Sequence, residues 1–135
     1  DKTVRLWCTN THESLQMITL DAPATCVSYN NDGTHVAVGI GSKDEDERKG
    51  GAFMILDRKD LSIVYQARDS KKSLTDCKYS RDGKLLAFGS QDHCIYIYDT
   101  KEFSFLAKAK GHSSAITHID FGCEQGKESP DFLQS

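Results

Sequence analysis

Two stretches fifty residues apart carry the same pattern: "TCVSYNNDGTHVAVG" (25–39) and "TDCKYSRDGKLLAFG" (75–89). Thr25 aligns with Thr75, Tyr29 with Tyr79, Asp32-Gly33 with Asp82-Gly83, and Ala37 and Gly39 with Ala87 and Gly89. Each stretch reads as two short strands around an Asp-Gly turn, because aspartate and glycine supply the backbone angles such a turn needs. A period of this size restricts the chain to architectures in which one small unit stacks on its copies.

A second set of columns completes the unit. "DKTVRLW" (1–7) lies over "DHCIYIY" (92–98), with "GGAFMIL" (50–56) between them. Fourth strands follow at "LSIVYQA" (61–67) and "FSFLAKA" (103–109). Four short strands with polar turns, recurring every 42 to 50 residues, describe a blade of an all-β propeller. The expected organisation is a partial blade of outer strands over 1–20 and a complete blade over 21–67 with a charged insertion at 42–51. A second complete blade covers 68–110, and a further blade begins at 111–135 with its inner strand over 115–121. Such a segment forms an incomplete ring, and the chain reads as a fragment that self-associates through its open strand edges.

"D-x-x-V-x-L-W" at 1–7, and Gly111-His112 opening a unit, resemble the two ends of a WD repeat. "LLAFGSQDHCIYIYD" followed by "GHSSAITHIDF" is closer still, and resembles the echinoderm microtubule-associated protein-like family. That resemblance implies a WD-repeat β-propeller segment, a non-enzymatic role, and contact with tubulin, microtubules or other proteins through rim loops. It implies a place in the cytoplasm, on the cytoskeleton. It also implies structural roles for Asp1, Trp7, Asp92, Tyr98, Gly111 and His112 at the WD-repeat positions. The blade over 68–110 departs from the pattern, with Asp69-Ser70 in the Gly-His column and Tyr98 in the tryptophan column.

Composition narrows the partners. Of 135 residues, 38% are hydrophobic, 27% are charged and the net charge is −3, so no global basic field favours nucleic acid or an anionic membrane. The five cysteines are widely spaced without a CxxC pair, which suits a reducing compartment and a core role for Cys77 and Cys94. His93, Cys94, His112, His118 and Cys123 lack the short paired spacing of zinc ligands. No metal and no cofactor is expected.

Three stretches invite other readings. "GIGSKDEDERKGG" (39–51) begins G-x-G after a strand, yet lacks the lysine-serine ending of a phosphate loop, and its contiguous acids lack a calcium loop's alternation. It reads instead as a solvated insertion or a partner-contacting tip, through Lys43, Asp44, Glu45, Asp46, Glu47, Arg48 and Lys49. "GHSSAITHIDFG" (111–122) holds Ser113, Ser114, His118 and Asp120. A hydrolytic triad must be assembled in space, and repeat columns account for these residues without one. Finally, Arg58, Lys59, Arg81 and Lys84 fall in turns of one propeller rim and are further partner-contact candidates. A general WD-repeat scaffold that does not bind tubulin is the second reading.

Overall fold

A computed structural model describes residues 2–20, 22–41, 50–122 and 132–134. Twelve strands and no helix occur among them: β1 (Thr3–Trp7), β2 (Ser14–Thr19), β3 (Ala24–Tyr29), β4 (His35–Ile40), β5 (Ala52–Asp57), β6 (Ile63–Ala67), β7 (Leu74–Tyr79), β8 (Leu85–Ser90), β9 (Ile95–Asp99), β10 (Phe105–Ala109), β11 (Asp120–Gly122) and β12 (Phe132–Gln134). β3–β6 and β7–β10 each form a four-stranded antiparallel meander, while β1–β2 and β11–β12 form two-stranded ladders.

Hydrophobic pattern decides which strand is central. β4 (HVAVGI) and β8 (LLAFGS) are near-continuous apolar or small runs and are buried on both faces, as a strand covered by sheets on either side must be. The outermost β6 and β10 are largely exposed. Three apolar clusters lie between successive sheets. Leu20, Val36, Val38, Leu56 and Leu61 join β1–β2 to the first meander, with Val4 and Leu6 packed against them. Phe53, Ile55, Cys77, Phe88 and Tyr98 join the two meanders. Ala87, Ile95, Ile116 and Ile119 join the second meander to the segment that follows it. The Phe53 ring stacks on Phe88 at 4.6 Å and tilts against Tyr98 at 4.7 Å, an arrangement worth about 0.5–1.5 kcal/mol per pair beyond the area buried.

The Asp-Gly turns form as the columns predict. Gly33 and Gly83 have φ of 73° and 74°, which a side chain with a Cβ adopts only under strain. Asp32 Oδ1 accepts from Thr34 N (3.0 Å), and Asp82 Oδ1 from Lys84 N (3.0 Å). The hairpins between the third and fourth strands share another device. His12, Leu61 and Phe103 occupy one column and all have positive φ (59°, 56° and 55°). Leu61 is buried in the cluster below the first meander, and the Phe103 ring stacks on Tyr65 of that meander at 5.4 Å. At Leu61 and Phe103 the turn thus brings an apolar side chain onto the preceding sheet, whereas His12 is exposed.

The inner strand expected over 115–121 is shorter than its columns suggest, since the ladder begins only at Asp120. Ile116 N–H donates to Ser90 O at 3.1 Å and Ile119 N–H to Asp76 Oδ2 at 3.0 Å. Residues 115–119 are therefore anchored to the second meander by single bonds and two buried isoleucines.

Candidate functional site

Local hydrogen bonds bring both turn types of each meander onto one rim. Arg58 N donates to Thr34 O (3.0 Å) in the first meander. Thr100 N donates to Lys84 O (3.1 Å), and Thr100 Oγ1 to Gly83 O (2.5 Å), in the second. Asn31 Nδ2 donates to Arg81 O and links the turns of the two meanders. Arg58, Lys59, Arg81 and Lys84 are therefore gathered on neighbouring turns, and all four are exposed.

The acids interleaved with these cations are occupied. Asp57 Oδ1 accepts from Lys59 N (2.8 Å), Asp60 Oδ1 from Ser62 N (2.9 Å) and Asp99 Oδ1 from Lys101 N (2.6 Å). Hydrogen bonds from the Thr34 hydroxyl and N–H hold Asp32 below the usual carboxylate range. The Ser80 hydroxyl and Lys84 N–H do the same for Asp82. Arg58, Lys59 and Lys84 form no ion pair with a described residue. Asp32, Asp60 and Asp82 are themselves exposed and ionised, so the rim presents cations interleaved with carboxylates that fasten its turns.

The WD-repeat positions have separate fates. Tyr98 is 2% exposed and its hydroxyl donates to Asp69 Oδ2 at 2.8 Å. Ser70 Oγ and the fully buried Ser90 Oγ lie 2.7 Å apart. Asp92 N donates to Ser90 Oγ (3.3 Å), and Asp92 accepts from Cys94 N (3.1 Å) and from the Tyr96 hydroxyl. Burial works against ionisation of Asp92, but the Tyr96 and Ser90 hydrogen bonds outweigh it and hold its carboxyl below the usual range. Lys108 Nζ sits 5.0 Å from the Tyr96 ring centroid. One network thus ties the connector at 69–72 to β8 and β9. Asp69, Ser70, Ser90 and Tyr96 are members that the columns alone did not name. The occupation of the Gly-His column by Asp69-Ser70 was their signal in the sequence.

Trp7, in the same column as Tyr98, is 55% exposed. Val27 and Tyr29 are likewise 61% and 52% exposed, whereas Cys77, in the Val27 column, is 1% exposed. Cys77 is covered by the first meander, and no described sheet covers Val27. Gly111 has φ of 146°, and His112 is exposed. Asp1 and the insertion residues Lys43, Asp44, Glu45, Asp46, Glu47, Arg48 and Lys49 lie outside the described residues.

His118 Nδ1 lies 3.0 Å from Asp76 Oδ2, and Asp120 Oδ1 accepts from Phe121 N (2.9 Å). The histidine and aspartate of 111–122 are thus committed to different partners and do not meet as a triad. Among the described residues no cluster of three or more potential metal ligands occurs, and no helix is long and apolar enough to cross a membrane.

Four-stranded meanders stacked face to face, with their turns joined along a rim, define a β-propeller segment of the WD-repeat type. Residues 1–128 match the family described as echinoderm microtubule-associated protein second beta-propeller. The chain belongs to this family. It is 37% identical over 125 residues to echinoderm microtubule-associated protein-like 4 of Xenopus laevis, covering 90% of this chain and 13% of that protein. The like-2 protein of Mus musculus is 31% identical, with 90% and 18% covered. For the human like-3 protein the identity is 34%, with 90% and 13% covered. The chain thus spans 13% to 18% of the length of these relatives. The solved structure titled "Structure of U3-55K" superposes with a TM-score of 0.77 at 17% identity, over 89% of this chain and 36% of that one, a likeness of fold alone.

Proposed function

We propose that this segment is a non-enzymatic protein-interaction surface of a microtubule-associated propeller protein, and that it contacts tubulin through the rim bearing Arg58, Lys59, Arg81 and Lys84. One observation carries this reading. The acids of that rim are hydrogen-bonded into turns, whereas the exposed Arg58, Lys59 and Lys84, on neighbouring turns of two blades, form no ion pair with a described residue. Exposed cations of this kind steer an acidic protein surface more than they add raw affinity. Family membership supplies the microtubule association, and the cytoskeleton is the corresponding location. The insertion at 42–51 is a second contact candidate.

Co-sedimentation of the full-length protein with assembled microtubules tests the reading. Pelleting that weakens as salt is raised is the expected result. No pelleting at low salt favours the scaffold reading, in which the same rim serves another protein. A related proposal concerns the β3 face bearing Val27 and Tyr29, which is uncovered where the equivalent β7 face bearing Cys77 is covered by a neighbouring blade. Another blade, from the same chain or from a second copy, fits that face.

A further inference from the structure

Cys26 and Cys77 are 51 positions apart in sequence, yet they face each other where β3 of the first meander meets β7 of the second. Cys26 packs against the apolar cluster that contains Cys77. Cys77 is 1% exposed, and its thiol faces Ala37 O at 3.9 Å as well as Cys26. Cys26 is only half-buried. The Thr25 hydroxyl lies 4.0 Å from its sulfur, and the Cys77 thiol is the foremost influence that lowers the Cys26 pKa. Gly39 pairs with Cys26 across β3–β4, and a Cβ there would lie 2.3 Å from Cys26 Sγ. The glycine leaves the space in which this sulfur sits. Neither of the other described cysteines has such a partner: Cys94 turns its thiol to Asp92 O at 3.5 Å, and Cys8 bonds with Thr11.

We propose that Cys26 and Cys77 form an oxidisable dithiol, which hydrogen peroxide closes into a disulfide across the junction of the two meanders. The two sulfurs have unequal roles. The adjoining Cys77 thiol is the foremost cause of the lowered Cys26 pKa and favours its thiolate, the nucleophilic form. The bond to Cys26 and burial hold Cys77 protonated. The Cys26 thiolate attacks one peroxide oxygen, the O–O bond breaks, and the departing hydroxide takes up a proton to become water. This leaves a sulfenic acid on Cys26. Cys77 sulfur then attacks Cys26 sulfur, the S–O bond breaks, and the second hydroxide leaves with the Cys77 proton as water. Two thiols are oxidised and one peroxide is reduced to two waters. Because Cys77 is buried and Cys26 is its neighbour, the sulfenic acid meets its resolving thiol before a second peroxide. The product is a covalent staple between blades that are otherwise held by packing.

The test treats reduced folded protein with hydrogen peroxide, caps remaining thiols with N-ethylmaleimide and maps tryptic peptides without reduction. The expected product joins peptide 73–78, which carries Cys77, to peptide 6–43, which carries Cys8 and Cys26. The joined species persists in Cys8→Ser, disappears in Cys26→Ser and is cleaved by dithiothreitol. It also raises the unfolding temperature reversibly. In Cys77→Ala, which keeps the site apolar, Cys26 is expected as a sulfenic acid that dimedone traps. A Cys77 peptide fully capped by maleimide beside over-oxidised Cys26, or a joined species that survives Cys26→Ser, overturns the proposal.

Discussion

The hydroxyl of Tyr98 donates to Asp69 Oδ2 at 2.8 Å across 29 residues of sequence, fastening the connector between two blades to the third strand of the second. Tyr98 is a buried ring touching Phe53, Phe88 and Phe105, so its substitutions separate packing from bonding. Tyr98→Phe keeps the ring and loses one hydrogen bond to an exposed acid, a cost of about 1 kcal/mol. Tyr98→Ala removes the ring as well and costs about 3–5 kcal/mol. Urea denaturation of the two variants measures both figures.

His118 and Asp76 stand in one repeat column of successive blades and meet at 3.0 Å. Asp76 also takes the Ile119 N–H. Removing that carboxylate with Asp76→Ala leaves residues 115–119 held by Ile116, Ile119 and a single backbone bond. Amide exchange at Ile119 is expected to accelerate in Asp76→Ala while β8 stays protected. Ile119→Ala, at a fully buried site, is expected to cost about 2–5 kcal/mol where that segment contributes to the unfolding transition.

The left-handed turns set a third expectation. Gly83 has φ of 74°, so Gly83→Ala destabilises by about 1–2 kcal/mol. Gly83→Asn costs less, because asparagine tolerates that conformation. Thermal melts of the two variants rank them.

Acid sensitivity follows from the turn carboxylates. Asp32 and Asp82 have folded-state pKa values below those of an unfolded chain, chiefly through hydrogen bonds from Thr34 and Ser80. A depressed carboxyl contributes stability that is fully present above the unfolded value of about 4 and is lost as pH falls through the folded value. Unfolding midpoints are therefore flat from these groups above that pH and drop below it. In Asp82→Asn the drop is shallower.

Periodicity revealed the blades because each copy must present apolar columns to its neighbours: Ala37 and Ala87, Leu56 and Tyr98, Cys77 and Ile119 are all buried. The Asp-Gly turns were equally legible, since φ near 73° leaves little choice of residue. Polar partners between connector and blade were not. Asp69 stands in a glycine column and Tyr98 in a tryptophan column, and only their meeting in space shows the bond between them. The interval 115–119 has a strand-like apolar pattern, yet the ladder begins only at Asp120, and the bond from Ile119 N–H to Asp76 is one that pattern alone does not assign. The rim cations were visible as positions, but the joining of their turns was not, since it depends on bonds such as that from Asn31 to Arg81 O between the two meanders.

Reversing charge on one rim at a time, followed by salt-titrated microtubule co-sedimentation of the full-length protein, addresses the proposed tubulin contact most directly. Arg58→Glu with Lys59→Glu and Lys84→Glu is compared with Arg68→Glu, Lys71→Glu and Lys72→Glu on the opposite rim, after both triple variants are shown to fold. Loss of pelleting in the first with retention in the second is the result expected. Equal pelleting by both variants and the unaltered protein, at every salt concentration, would contradict a tubulin contact through this rim.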